Sequence, residues 1–200
     1  VTLGDGHFAF DRYLDDQAIQ AALYPQVLNA ILRHSGATRG LIFDHTLRSQ
    51  TDYGASSSRR APVKTVHNDY NRTSAEHRVA AELATRGWSH LERRRYAFIN
   101  LWMPLFHPVS DSPLAFGDAS SFSDSDYHKL LLRYRDRQGQ ISALSYRPSH
   151  RWYYYPDMQP GEALLFKVYD SDPNQPVRLV PHTAFNHPDA GDKTPPRTSL

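Results

Sequence analysis

The chain has 200 residues, a formal net charge of +2, 40% apolar residues and no cysteine. That length suits one domain with a sizeable core. Without cysteine there are no disulfides, zinc fingers, iron–sulfur clusters or thiol nucleophiles, so any transition-metal site must be built from His, Asp and Glu. No basic run is longer than Arg93-Arg94-Arg95, which speaks against a nucleic-acid partner. No apolar stretch reaches membrane-spanning length and no signal-peptide pattern opens the chain, so a cytoplasmic protein is expected.

Residues 17–33 carry Ile19, Ala22, Leu23, Val27, Leu28, Ile31 and Leu32 at helical spacing, with Pro25 expected to kink or split the helix. Gly36 and Gly40 bracket a turn into a short strand at Leu41-Ile42-Phe43. Residues 51–60 read as a polar, mobile loop, and residues 62–69 as extended chain. Asn71-Arg72-Thr73 matches a glycosylation sequon, an accidental match in a chain with no secretion signal. Thr73-Ser74-Ala75-Glu76 is a capping box opening a helix that stops at Gly87. The pattern then switches to period two, which predicts strands at 96–103, 130–134, 141–146, 151–155, 163–169 and 177–183. Arg137-Gln138-Gly139-Gln140 is the expected hairpin turn between the second and third of these, and residues 186–196 form a loop.

Helices followed by six or more strands predict an α+β domain, best satisfied by a double-stranded β-helix (jelly-roll, cupin-like) core with packing helices. The expected organisation is a single domain over 1–200: a helical part to residue 40, then the barrel core. Arg197-Thr198-Ser199-Leu200 reads as the beginning of a strand, so the last strand is expected to be incomplete.

The chemistry concentrates in Val66-His67-Asn68-Asp69-Tyr70. On an extended strand His67 and Asp69 point to the same face. With one further histidine, His182 in Pro181-His182-Thr183-Ala184-Phe185, they form a 2-His-1-carboxylate set. Such a set fills one face of an octahedron, leaves three positions open, and points to non-heme Fe(II) oxygen chemistry. The competing reading makes His67 and His182 a buried hydrogen-bonded histidine and a surface one, with Asp69 capping the helix near Thr73. His107, His150 and His187 are expected to be polar surface groups.

Several segments together carry a resemblance: the His67–Asp69 segment, Phe98-Ile99-Asn100-Leu101-Trp102-Met103-Pro104, Pro113-Leu114-Ala115, His150 to Met158 with its Trp-Tyr-Tyr-Tyr-Pro run, Ala163 to Lys167, and Pro181 to Phe185. Over roughly residues 40–200 the chain resembles the fungal and bacterial family of CmcJ, AsaB and gibberellin-desaturase-like proteins. These are Fe(II)/2-oxoglutarate-type hydroxylases and desaturases of secondary metabolism. The resemblance implies Fe(II), 2-oxoglutarate and O2, with His67, Asp69 and His182 matching the iron ligands. It also matches Arg197 and Ser199 to the oxoglutarate-anchoring pair. The planar fork of a guanidinium suits a carboxylate, and these two residues alternate onto one strand face.

Arg95, Asn100, Arg147 and Arg151 are candidates to meet a substrate carboxylate. Of the run Trp152 to Tyr155, either Tyr153 and Tyr155 or Trp152 and Tyr154 face the pocket. The expected function is hydroxylation, desaturation or oxidative cyclisation of a small secondary-metabolite or amino-acid-derived substrate, by a monomer or homodimer. The alternatives are a cupin-like isomerase or hydrolase that does not use 2-oxoglutarate, and a non-catalytic barrel that binds a small ligand. A nucleic-acid demethylase is disfavoured by the weak charge asymmetry.

Overall fold

The computed structural model describes residues 15–51, 59–133 and 138–200. The first helical stretch runs through α1 (Asp16–Ala18), a π-helical turn (Ile19–Leu23) and α2 (Tyr24–Ser35). Pro25 stands in the first turn of α2, directly after the π-helical turn. A proline has no N–H to donate, and the backbone adjusts by one residue just before it, where the Tyr24 N–H bonds Ile19 O five positions back. Gly36 ends the stretch in the left-handed region at φ 68°.

The strands are β1 (Arg48–Ser49), β2 (His67–Asn68), β3 (Ala97–Trp102), β4 (Leu114–Gly117), β5 (Tyr127–Arg133), β6 (Gln138–Leu144), β7 (Trp152–Tyr154), β8 (Leu164–Asp170), β9 (His182–Ala184) and β10 (Thr198–Ser199). A six-stranded antiparallel sheet has the order β5-β6-β2-β9-β4-β7. Opposite it, β3 pairs with β8, and β1 with β10. Backbone bonds from Met103 to Leu200 and from Leu105 to Thr198 join these two pairs into one layer. Two facing antiparallel layers with helices outside give the expected jelly-roll architecture.

Several local expectations shift. Leu41-Ile42-Phe43 forms no strand and instead lies against the helices and the aromatic cluster. Helix α3 (Arg72–Ala84) is capped by Asn71 rather than Thr73: Asn71 and Ser74 exchange side-chain and backbone bonds of 3.0 Å. After the bend at Asp69 the backbone is extended at Asn71, so the cap falls two residues earlier than the Thr-Ser-Ala-Glu pattern suggested. Gln138 to Gln140 belong to β6, not to a turn. Arg133 pairs with Gln138, while Arg137 lies outside the described residues. Most of the 51–60 loop lies outside them as well. Of the strand expected at 177–183 only the end is regular, as β9. Arg197 to Leu200 is paired on both sides, by β1 and by residues 103–105.

Alternation sorts the second layer into an outer and an inner face. Leu47, Met103, Leu105 and Leu200 pack outward onto Ile19, Leu23, Val27 and Ala30 of the helix. Trp102 turns inward to Val109, Leu114 and Met158, between the layers. A third cluster gathers Ala75 of α3 with Phe98, Val168 and Tyr169.

Asp170 pins the far end of β8. Its fully buried carboxylate accepts from Arg95 Nε and Nη2 at 3.1 and 2.9 Å and from Lys167 Nζ at 2.6 Å. Burial alone would raise its pKa, but these donors bring it down to about 2. A depressed carboxylate stabilises the fold above its unfolded value and stops doing so as pH falls through the folded one. Screening at half-exposed Arg95 keeps the effect to about 1 kcal/mol. Chemical denaturation between about pH 4 and 2 is therefore expected to show a steeper loss of stability in the wild type than in Asp170→Asn; parallel curves would remove Asp170 from this role.

Candidate metal centre

The register of three strands builds the centre. His67 of β2 pairs directly with His182 of β9, and His182 in turn with Phe116 of β4. Directly opposite residues share a sheet face, so both imidazoles project to the same side with ring centroids 4.5 Å apart. Asp69, two residues beyond His67, joins them. Its Oδ1 lies 3.5 Å from His67 Nε2 and 3.8 Å from His182 Nε2. One ligand atom from each residue falls within a 4.8 Å cluster.

Neighbouring groups set the donor atoms. His67 Nδ1 lies 2.7 Å from Thr65 O, and His182 Nδ1 lies 3.2 Å from Val180 O. A carbonyl can only accept, so each Nδ1 carries the proton and each Nε2 presents its lone pair to the shared point. Burial lowers the His182 pKa, which keeps that imidazole neutral. Asn100 Nδ2 donates to Asp69 Oδ2 at 2.6 Å, leaving Oδ1 free to turn to the histidines. Burial would raise the Asp69 pKa, but its polar neighbours, His67 first and then His182 and Asn100, hold it well below the usual carboxylate range. Two neutral nitrogens and one carboxylate oxygen on one side are the donor set a ferrous ion takes while keeping positions open. Phe166 of β8 closes one wall, 4.8 Å from the His182 ring and 4.8 Å from Phe116.

Arg197 and Ser199 are buried on the inner face of the second layer. Arg197 Nη1 donates to Ser112 O, and its guanidinium lies 5.4 Å from the centroid of the Trp102 ring. Gln50 accepts from the Arg197 backbone N–H and donates to Asp111. Burial pushes the Arg197 pKa down to about 9, with help from Arg48 and opposition from Asp111. The group stays a cation at neutral pH. Arg197 Nε, Ser199 Oγ and Trp102 Nε1 are buried with no protein acceptor, an unusual cost unless a ligand oxygen meets them.

The other candidates fall elsewhere. Arg95 is committed to Asp170, Arg147 to buried Asp126 and Arg151 to Asp118. Asn100 serves Asp69, so its partner is a protein carboxylate. Tyr153 pairs with Phe116, which places it on the His67–His182 face, whereas Trp152 and Tyr154 alternate to the opposite face. Tyr155, half exposed, reaches Glu162. His150 is not a surface group: its side chain is buried, 3.2 Å from Asp126 and stacked on Phe122. Sequence reasoning missed Arg48, Gln50, Trp102 and Asp111, which lie in separate segments with no shared spacing. A polar recess lined by Asp16, Tyr24, His45 and Arg60 includes none of the three clustered ligand residues.

A jelly roll carrying two histidines and a carboxylate that could together hold a metal ion is the layout expected of a non-heme metalloenzyme. A family profile described as an oxidoreductase/YMDC permease-like domain matches residues 5–200. No helix among the described residues is long and apolar enough to cross a membrane. The chain is 31% identical over 199 residues to the alpha-ketoglutarate-dependent dioxygenase tstK of Talaromyces stipitatus, covering 94% of this chain and 70% of that protein. It is 39% identical over 125 residues to the hydroxylase/desaturase asaB of Aspergillus flavus, covering 56% and 55%. The solved iron and alpha-ketoglutarate-dependent endoperoxidase NvfI superposes with a TM-score of 0.89 at 25% identity, covering all of this chain and 74% of that one. The chain belongs to the Fe(II)/2-oxoglutarate-dependent dioxygenase family of hydroxylases and desaturases. Membership places it among oxidoreductases rather than the isomerases or hydrolases weighed above.

Asp69→Ala removes the one anionic donor of the cluster without touching the core. It is expected to weaken Fe(II) binding by about 100-fold or more while the melting temperature of the metal-free protein stays near wild type. Unchanged Fe(II) affinity by anaerobic calorimetry would remove Asp69 from the metal centre.

Proposed function

We propose that His67, Asp69 and His182 hold Fe(II), and that Arg197 and Ser199 anchor the distal carboxylate of 2-oxoglutarate. The enzyme so formed hydroxylates, desaturates or oxidatively cyclises a small secondary-metabolite or amino-acid-derived molecule. The supporting observation is the pairing of a clustered donor set with unsatisfied buried donors on Arg197 and Ser199. Bound Fe(II) would supply activation of O2 coupled to oxidative decarboxylation of 2-oxoglutarate to succinate and CO2. The protein's part is position and exclusion of water.

Asn100 and the carbonyls of Thr65 and Val180 orient the three ligands, so no ligand must rearrange when the metal enters. Phe116, Phe166 and Leu164 shield one side of the centre. On the same sheet face Tyr153, mostly exposed, offers an aromatic surface at the mouth where an organic substrate would rest. A small-molecule substrate, with no nucleic acid or membrane partner, a monomer or homodimer and a cytoplasmic location complete the reading.

Anaerobic addition of Fe(II) and then 2-oxoglutarate should give a weak visible charge-transfer band that needs both and is absent in His67→Ala. Iron binding with no band would point to a metalloenzyme independent of oxo acids. Arg197→Gln should raise the 2-oxoglutarate concentration needed for half-maximal band intensity by about tenfold or more; an unshifted titration would take Arg197 out of the co-substrate site. Once a substrate is identified by succinate release, Tyr153→Ala should raise its KM by about tenfold. An unchanged KM would place the substrate elsewhere.

A further inference from the structure

One face of β3 links the donor cluster to the pair Arg197 and Ser199. Asn100 and Trp102 are two residues apart on a regular stretch of the strand and project to the same side. Asn100 reaches Asp69 Oδ2 at 2.6 Å, so that side faces the His67, Asp69 and His182 cluster. Met103 packs outward onto the helix, which turns Pro104 back to the Trp102 side. Pro104 bridges Ser199 in antiparallel register, and beside them Met103 and Leu200 exchange both backbone bonds. Trp102 therefore lies on the face of Ser199, diagonal to it. The Arg197 guanidinium comes within 5.4 Å of the Trp102 ring centroid. Along the strand Asn100 and Trp102 are about 7 Å apart, close to the span of an extended five-carbon dicarboxylate.

Trp102 is only 8% exposed, and among the described residues its indole Nε1 has no acceptor. An indole N–H can only donate, so burying it unpaired carries a cost that a ligand oxygen would remove. Arg197 Nε and Ser199 Oγ, on the same face, are buried without a partner as well. One cationic and two neutral donors suit a carboxylate, whose two oxygens offer several lone pairs. We propose that Trp102 is a co-substrate-binding residue, its indole N–H donating to the distal carboxylate of 2-oxoglutarate beside Arg197 and Ser199. This rests on the co-substrate reading above and adds a specificity-determining contact to it. An oxo acid ending in a methyl group would leave all three donors unpaired, so the site selects against it. The cation–π contact of the ring also steadies the Arg197 guanidinium.

The test compares 2-oxoglutarate with 2-oxopentanoate, which carries a methyl group in place of the distal carboxylate. Anaerobic calorimetry of the Fe(II)-loaded protein would titrate both into wild type and Trp102→Phe, with circular dichroism and Fe(II) affinity measured for each. Trp102→Phe keeps an aromatic ring and removes the N–H. It is expected to weaken 2-oxoglutarate by about tenfold or more and to leave 2-oxopentanoate as in wild type. A folded Trp102→Phe that binds 2-oxoglutarate like wild type overturns the proposal. Equal weakening of both ligands overturns it too, because the ring would then act by packing alone. A second measurement needs no substitution at Trp102. Isotope-labelled, Zn(II)-loaded wild type has three indole N–H signals, assigned with Trp88→Phe and Trp152→Phe. Saturating 2-oxoglutarate should move the Trp102 signal downfield, as a new charge-assisted hydrogen bond does, and 2-oxopentanoate should not. An unmoved signal with 2-oxoglutarate bound overturns the proposal, and this result decides if Trp102→Phe fails to fold or 2-oxopentanoate binds too weakly to compare. A wild type that binds iron but not 2-oxoglutarate would defeat the underlying co-substrate reading and this proposal with it, whereas a Trp102 failure alone leaves that reading standing.

Discussion

The register that sets His67 against His182 is the constraint on which the rest of this structure depends. β2 is only two residues long and pairs with β9 at a single position, so little within the strand holds it there. A slip of one residue would turn both His67 and Asp69 away from His182. Pairing with β6 on the other side supports the register. So does Asn68, the residue between the two ligands. Fully buried, its amide donates to Tyr70 O at 2.6 Å and to Val168 O at 2.7 Å, tying β2 to β8 of the opposite layer. The middle residue of the His-x-Asp pair is therefore a brace between the two layers, not a spacer.

Charge is distributed unevenly across the molecule. Away from the centre, buried carboxylates have basic partners: Asp170 has Arg95 and Lys167, and Asp126 has Arg147 and His150. At the centre the balance reverses. Arg197 is buried and Arg48 partly buried, with no carboxylate ion pair among the described residues, while Asp69 is shared by two imidazoles and an amide. Electrostatic cost that is balanced within the protein elsewhere is left unbalanced here, the condition under which a bound anion or metal would add most.

Much of the geometry of the candidate site was legible because its residues sit in short, regular segments. Strand alternation predicts that His67 and Asp69 share a face, and likewise Arg197 and Ser199. The period-two stretches at 96–103 and 163–169 became β3 and β8 with small changes at their ends. What was not legible depended on partners distant in sequence. Nothing in Leu41-Ile42-Phe43 shows that the helices will cover it before any strand can. The arginines at 95 and 147 carry the same local pattern whether they meet a substrate or a buried aspartate, and only the positions of Asp170 and Asp126 decide. Asn71 captured the α3 cap because the exit from β2 determines which polar residue first meets free amides. The position of Arg48 was invisible for the same reason: only the two-residue ladder shows that it lies opposite Ser199.

The aromatic run shows how a single pairing resolves an ambiguity that composition leaves open. Trp152, Tyr153 and Tyr154 are chemically similar enough that either face could have lined the pocket. The register Phe116↔Tyr153, continued by Phe116↔His182, puts Tyr153 two strands from the histidine on the same face. At the spacing of neighbouring strands that is roughly 10 Å, a distance suited to an organic substrate rather than to a direct contact with the metal. The opposite face uses its aromatics for packing: Trp152 meets Phe122 edge-on, and Tyr154 packs on Phe185 and hydrogen-bonds His187. Gly117, paired with Trp152, makes room for Phe122, since a Cβ there would run into that ring. One strand thus divides its work between the two faces: Trp152 and Tyr154 pack the sheet edge, and Tyr153 stays exposed on the face of His67 and His182.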